Sequence, residues 1–218
     1  MPVLHSPSQP SRQKGVVLLV ALVFLVLLTL LAVGASTSSL LQQHMVAATR
    51  NAQLADMSAD TALRGAEWRI WSSTAAVGGY LTCPSGSISS DTGCVRYDPT
   101  SPLYAATGDV TKFLTSTQWL SGIGIVYTGS QGQGFQSNSN KTYSSANLAE
   151  NPQYVIEDLG LERPPGAGTQ HESGDTGPNN NSPGSVSTHI FRITARATGG
   201  SDNTLRVVQS TFDAQATN

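Results

Sequence analysis

The chain has 218 residues, of which 12 are basic and 14 are acidic, so its formal net charge is −2. This balance, together with the lack of any basic stripe, excludes a nucleic-acid polyanion as the expected partner. Charged residues make up only 12% of the chain, about half the usual share. Ser, Thr, Gly and Asn take their place, a composition that is common in exported β-rich proteins.

An apolar run fills residues 16–35, and Thr29 is the only polar side chain in these twenty positions. A helix of that length spans about 30 Å, which is the thickness of the hydrocarbon core of a bilayer. Arg12 and Lys14 lie just before the run. Because basic residues favour the cytoplasmic side, the N-terminal segment is predicted to stay in the cytoplasm, and the chain after residue 36 to face the other side.

Three interpretations of this run remain open at this point. The small residues at 33–36, "VGAS", suit the cleavage site of an ordinary secretory signal, although such signals have apolar regions of only about 7–15 residues. A plain single-span anchor is the second interpretation. The third is a helix that is kept after maturation and used again in assembly, and it depends on whether the residues after the run continue the helix.

A second helical pattern comes directly after the run. Between residues 40 and 71 there is no proline, and an apolar stripe repeats with helical spacing. The stripe consists of Leu41, Met45, Ala48, Ala52, Ala55, Ala59, Ala62, Ala66 and Ile70. It predicts one continuous helix from Val16 to about Trp71, whose alanines let another element pack closely. Trp68 and Trp71 are interpreted as closing the core at the helix end, with an interface patch as the alternative.

The basic leader, Lys14-Gly15 and the apolar helix that continues into an amphipathic one resemble the N-terminus of type IV pilins. The resemblance implies that a prepilin peptidase cleaves between Gly15 and Val16, and that the mature end is methylated. The apolar helix is then retained, first as the inner-membrane anchor and later as the element that packs against other pilins. The residues assigned to this assembly helix are Val20, Leu41, Met45, Ala52 and Ala59.

The chain departs from major pilins at two positions. Major pilins usually begin with Phe and carry Glu at the fifth mature position, where this chain has Val16 and Val20. A carboxylate within a bilayer costs about 2.5–3.5 kcal/mol on insertion scales, so it is kept only for a partner. By analogy with the family, a subunit that lacks it suits a tip or an initiating complex.

Residues 12–71 and 153–213 are similar to the PilX class of minor pilins, for example in "RNAQLADMSADTALRGAE" and "HIFRITARATGGSDNTLRVVQSTF". The resemblance implies other minor pilins and the major pilin as partners, a single-pass inner-membrane precursor with a periplasmic head, and an extracellular pilus position near the tip. It also implies roles in twitching motility and adhesion. A pseudopilin of a type II secretion machine is the closest rival, because it uses the same helix.

The rest of the chain predicts an α+β head, in which the long helix packs on an antiparallel sheet. Strands are expected at 122–129 and 153–160, and "HIFRITARAT" and "TLRVVQSTF" form a hairpin through "GGSDN". Periodicity leaves 110–120 as either helix or strand. The domain assignment is a leader at 1–15, an assembly helix at 16–35, its amphipathic continuation at 36–72 and a head at 73–218. Flexible loops are predicted at 130–142 and 163–187.

Cys83 and Cys94 are the only cysteines. If the chain is exported, they are expected to form a disulfide, which would close a twelve-residue loop and contribute about 2.8 kcal/mol. The four histidines have no metal-ligand spacing, and no nucleophile elbow or nucleotide-binding loop occurs. We therefore expect a non-enzymatic protein with no metal, no cofactor and no small-molecule substrate. A hydrolase would require a convergent acid, base or nucleophile cluster in the folded head.

Overall fold

A computed structural model describes residues 15–74, 80–129, 132, 134–136, 146–162 and 186–217. The chain divides into two compact units, Met1–Ala48 and Thr49–Asn218. Helix α1 (Val16–Thr74) provides the described part of the first unit and the beginning of the second. The absence of proline between residues 16 and 74 allows this length. The long helix predicted from the sequence is therefore confirmed, and it ends at Thr74 rather than near residue 71.

Among the described residues, the second unit adds one short helix, one 3-10 turn and five strands to the end of α1. The elements are β1 (Cys94–Arg96), a 3-10 turn (Pro102–Tyr104), α2 (Asp109–Thr115), β2 (Ile125–Val126), β3 (Gln153–Leu161), β4 (Val186–Thr198) and β5 (Leu205–Thr217). The sheet order is β1-β3-β4-β5, and β2 also pairs with β3. All of these pairings are antiparallel except β1 with β3. The α+β fold class is confirmed, with a sheet that is mixed but mostly antiparallel.

The alanine stripe of α1 packs against one face of this sheet. Ala55, Ala59, Ala62, Ala66 and Ile70 are all fully buried. Opposite them lies a set of buried side chains from β3 and β4, namely Tyr154, Ile156, Phe191, Ile193 and Ala195. Small side chains on the helix let the sheet approach closely, and each large side chain buried there contributes about 1.5–3 kcal/mol.

Gly65 marks the closest approach to this helix. The ring of Tyr127 packs directly over it, and a Cβ at this position would overlap the ring. The glycine that interrupts an otherwise good helical sequence is therefore explained by packing rather than by a helix end.

The opposite face of the sheet carries a second, smaller core. Val95, Val110, Phe113 and Val155 are buried there, so helix α2 and the 3-10 turn cover the face that α1 leaves open. Buried Arg196 reaches this layer from β4 and donates hydrogen bonds to the carbonyls of Phe113, Ser116 and Gln118. A guanidinium at the last carbonyls of a helix caps it, which holds α2 against the sheet.

The strand expected over 153–160 is confirmed as β3, and it is buried on both faces along Gln153–Asp158, because α1 and α2 cover opposite sides. Other expectations for the head need correction. The strand expected over 122–129 is only Ile125–Val126, and the ambiguous stretch 110–120 contains helix α2. The sequence does not predict the parallel strand β1, since three residues carry no readable period.

The hairpin of β4 and β5 is confirmed, with pairing from Val186↔Thr217 to Thr198↔Leu205. The loop expected over 163–187 is too long at its end, because β4 already begins at Val186. The remaining positions of that loop, and most of the loop predicted over 130–142, lie outside the described residues.

Candidate assembly surface

The first surface that needs a partner is the apolar part of helix α1. Its side chains from Val16 to Ser36 are all exposed, and they include fifteen large apolar residues. α1 is the one helix among the described residues that is long and apolar enough to cross a membrane. Burying fifteen such side chains is worth tens of kcal/mol. This segment therefore requires lipid or an apolar protein surface around it.

The few hydroxyl groups in this segment are compatible with such an environment. Thr29 donates to the carbonyl of Val26 at 2.8 Å, and Ser36 donates to that of Ala32 at 2.8 Å. Because each hydroxyl is satisfied within the helix, neither requires water. Val20, the fifth residue of α1, is exposed on this uncharged surface.

Two of the three predicted cleavage residues, Gly15 and Val16, lie at the start of the helix. Lys14 is outside the described residues, Gly15 is exposed and not helical, and Val16 is the first residue of α1. Apart from Gly15 itself and its two chain neighbours, no described residue has a heavy atom within 4 Å of the position that a Cβ on Gly15 would take. The space around Gly15 therefore does not require glycine. Any requirement for glycine at this position would come from recognition by an enzyme.

The other assembly residues proposed from the sequence differ in their accessibility. Leu41 and Met45 are 66% and 70% exposed, whereas Ala52 is half-buried. Ala59 is fully buried against the sheet of its own chain, so it is not available to another subunit in this conformation. The stripe read from the sequence thus has two parts: the side chains before Ala52 face outward, and those from Ala55 onward form the core of the head.

Trp68 and Trp71 do not close the core, contrary to the interpretation from the sequence. They are 64% and 52% exposed, and their ring centroids are 4.8 Å apart. At about 100° per residue, positions 68 and 71 lie on the helix side opposite Ala66, which faces the sheet. The pair therefore forms a solvent-facing aromatic patch on α1.

Two further exposed residues share this side of the helix. Met57 is 66% exposed, and Arg64 forms an ion pair with Glu67 at 2.9 Å. We call Met57, Arg64, Trp68 and Trp71 the outer stripe. Their spacing of seven, four and three is a helical repeat, so the sequence contained a signal for this second face that the alanine stripe obscured.

The connection from α1 into the sheet is fixed by a disulfide. Cys83 and Cys94 are bonded, and their Cα atoms are 5.1 Å apart. Both cysteines belong to the core cluster beneath α1, and Cys94 is the first residue of β1. The predicted pairing is confirmed. It ties the segment after the helix to the parallel strand that the sequence did not reveal.

The buried charges of the head are engaged in structural contacts. Glu157 accepts two hydrogen bonds from Arg192, at 2.7 Å and 2.6 Å, and the Tyr97 ring lies 5.4 Å from the Arg192 guanidinium. The bonds to Glu157 raise the pKa of Arg192, whereas burial lowers the pKa of Arg196. Among the described residues, no group of three His, Cys, Asp or Glu side chains is placed to hold a metal ion.

Comparison with known families agrees with this arrangement. The family described as "Type IV pilus assembly protein PilX C-term" matches residues 92–214, and the family described as "PilX N-terminal" matches residues 14–64. The first match alone covers more than half of the 218 residues. The chain belongs to the PilX family of type IV pilus assembly proteins. No curated protein and no solved structure matches it.

Together, the two matches place both the long apolar helix and the sheet head in the PilX family. The N-terminal match begins before the apolar helix and extends into the alanine stripe. The C-terminal match includes β1, α2 and the 3-10 turn, which lie outside the stretches 12–71 and 153–213 that carry the resemblance in the sequence. The chain is thus a structural component of a type IV pilus, and its long apolar helix suits membrane anchoring and the pilus.

Proposed function

We propose that this PilX-family chain is a minor pilin that initiates or caps type IV pilus assembly by packing α1 against the helices of other pilins. The observation that carries the proposal is the uncharged, exposed apolar surface of α1, in which Val20 replaces the usual carboxylate. In major pilins that carboxylate is thought to engage the N-terminal amine of the preceding subunit. A subunit without it has no such requirement, which suits a position with no predecessor.

The proposal implies a defined sequence of locations and partners. Prepilin peptidase cleaves after Gly15, and the mature helix holds the chain in the inner membrane as a single span with the head in the periplasm. The head and helix then join other minor pilins and the major pilin, and the assembled subunit lies near the pilus tip. The chain supports twitching motility and surface attachment through this assembly role, without catalysis.

The maturation step is tested by the intact mass of the chain isolated from membranes. A mature chain that starts at Val16 is expected, whereas a start at Ser36 would show that the helix is discarded. Gly15→Val is expected to retain the leader. Gly34→Val is the matched control, because at both glycines an added Cβ would meet no described heavy atom within 4 Å beyond the adjacent chain and, for Gly34, its own helix backbone. Normal processing of both variants would contradict specific recognition of Gly15.

The assembly step is tested by deleting the gene and counting surface pili. Loss of pili and of twitching is expected, with recovery by the unaltered gene but not by Gly15→Val. Unchanged piliation after deletion would overturn the assembly role. In the strain with the unaltered gene, purified pili that do not contain this chain would argue against a subunit at the pilus tip.

A further inference from the structure

Strand β5 ends the sheet, and its outer edge is unpaired among the described residues. Its thirteen residues pair with β4 in one register without a bulge. Natural proteins usually protect such edges with charged side chains (especially lysine), proline, bulges or short strands. Strand β5 is long and contains no proline, lysine or glycine. Its two charged residues are Arg206, which forms an ion pair with Asp56 of α1 at 3.2 Å, and the exposed Asp213. It therefore presents a regular row of backbone donors and acceptors to an incoming strand.

The side chains beside this edge are only partly covered. Val208 and Phe212 face α1 and are half-buried, whereas Ala195 and Phe191, which lie opposite them on β4, are fully buried. On the other face of β5, Gln209, Thr211 and Asp213 are exposed. A strand with apolar residues at alternate positions would cover Val208 and Phe212 and leave its polar residues beside the exposed ones.

A second copy of this chain does not suit the edge. Antiparallel pairing of two β5 strands requires a two-fold axis perpendicular to the sheet, and this axis reverses the direction of the helix packed on it. Subunits that share one membrane orientation, as in the proposed function, cannot adopt that arrangement. Parallel pairing about a two-fold axis along the strands fails as well, because equivalent side chains would point to opposite faces of one sheet.

We infer that the outer edge of β5 accepts an extended strand from a different protein of the pilus assembly, with apolar residues at alternate positions. This inference rests on the proposed function, because it takes the partner from the same assembly. Backbone hydrogen bonds would supply the binding energy, and the half-buried pair Val208 and Phe212 would select the apolar face of the partner strand.

Amide hydrogen exchange of β5 tests this inference. The mature full-length chain is measured in detergent alone and in a complex copurified with coexpressed minor pilins. In the free chain, amides that donate to β4 are expected to exchange slowly and the alternate, outward amides quickly. In the complex, the outward amides are expected to slow by about tenfold or more.

Three results would overturn the inference. One is fast exchange of the outward amides in the complex, which would leave the proposed function intact. Another is protection of all β5 amides in the free chain, which would mean that the chain covers its own edge or, if the protection depends on concentration, that it pairs with a second copy. Failure to copurify with any minor pilin would overturn the proposed function and this inference together.

Two neighbouring proline variants provide a matched pair. In an antiparallel strand, the amides of adjacent residues point to opposite edges, so Gln209→Pro and Ser210→Pro each remove one kind of donor. The hydrogen bond from the Gly199 amide to the Thr204 carbonyl and the register of the pair show that the Ser210 amide faces β4, so Ser210→Pro should unfold at lower temperature. Gln209→Pro removes an outward donor and only the side-chain hydrogen bond to Thr194, so it should lower the thermal midpoint less but bind at least about tenfold less partner. Full binding by this second variant would contradict strand addition.

Discussion

Arg192 and Glu157 form a bidentate ion pair on the sheet face opposite α1, with nitrogen–oxygen distances of 2.7 and 2.6 Å. The Glu157 side chain is almost completely buried, whereas that of Arg192 is one-third exposed. The two residues are direct neighbours on β3 and β4. Because the buried carboxylate has little access to water, the two hydrogen bonds from Arg192 replace those that solvent would otherwise donate.

Removing only one partner of this pair should therefore be costly. Arg192→Met is expected to lower the free energy of unfolding by about 3 kcal/mol, since it leaves a buried carboxylate without its partner. The double variant Glu157→Leu with Arg192→Met should recover most of that loss, because no charge remains buried. Urea unfolding of the mature chain measures both values. Equal destabilisation by the single and double variants would contradict the dependence of Glu157 on Arg192.

The raised pKa of Tyr104 predicts how the stability of the fold changes at alkaline pH. Its hydroxyl is buried without a hydrogen bond, next to a carboxylate already engaged by Arg192, and burial followed by the charge of Glu157 raises its pKa. A group whose pKa is higher in the folded state contributes stability below its unfolded pKa, here about 10, and loses it as pH rises above that value. Stability should fall above about pH 10.

The variant Tyr104→Phe isolates this contribution. At pH 7 it should be neutral or slightly stabilising, because it removes a buried hydroxyl that has no hydrogen-bond partner. Above about pH 10 it should unfold less readily than the unaltered chain. Tyr154, whose pKa is also raised by burial, would still titrate, so a shallower pH dependence is expected rather than a flat one. An unchanged slope would contradict the contribution of Tyr104.

The Cys83–Cys94 disulfide should contribute mainly by restricting the unfolded chain. Replacing both cysteines with alanine is expected to lower the free energy of unfolding by about 2.8 kcal/mol in the loop-entropy model. Chemical reduction of the unaltered chain should produce a similar loss, and it should leave the double variant unchanged. Chemical denaturation with and without reductant provides the measurement. A large effect of reductant on the double variant would show that the loss does not come from this bond.

The sequence predicts those elements whose burial follows one simple period. The alanine stripe and strand β5 have that property, because each meets the core with one face. Strand β4 is predicted from its alternation and from the turn residues before β5, although both of its faces are buried over 193–198. Strand β3 does not, since it lies between two layers and is buried on both sides. Strand β1 is held by three pairings to β3 and by the disulfide, which are tertiary constraints that a local pattern cannot contain. The burial of Arg196 beneath α2 cannot be predicted from the sequence for the same reason.

The tryptophan pair shows how one pattern can conceal another on the same helix. Large aromatic residues near a helix end usually close the core, and this tendency alone favours a buried position for Trp68 and Trp71. Ala66 and Ile70 already occupy the side facing the sheet, and both are fully buried. The two rings are therefore directed away from the core, where the outer stripe adds Met57 and Arg64.

We expect this patch to act in association rather than in folding. Exposed tryptophans are frequent anchors of protein interfaces. Trp68→Ala with Trp71→Ala should change the free energy of unfolding by no more than about 0.5 kcal/mol, as surface substitutions usually do. It should nevertheless reduce copurification with other minor pilins and lower the number of surface pili, because the anchors are lost while the head stays folded.

Two control variants separate this expectation from simple unfolding. Ile70→Ala, which empties a fully buried position on the same helical turn, should cost about 2–5 kcal/mol and reduce assembly only through loss of folded chain. Thr61→Ala changes an exposed side chain on the same side of the helix and should affect neither property. Normal copurification by the double tryptophan variant would show that the patch is not an interface. A large loss of stability in that variant would place the rings in the core after all.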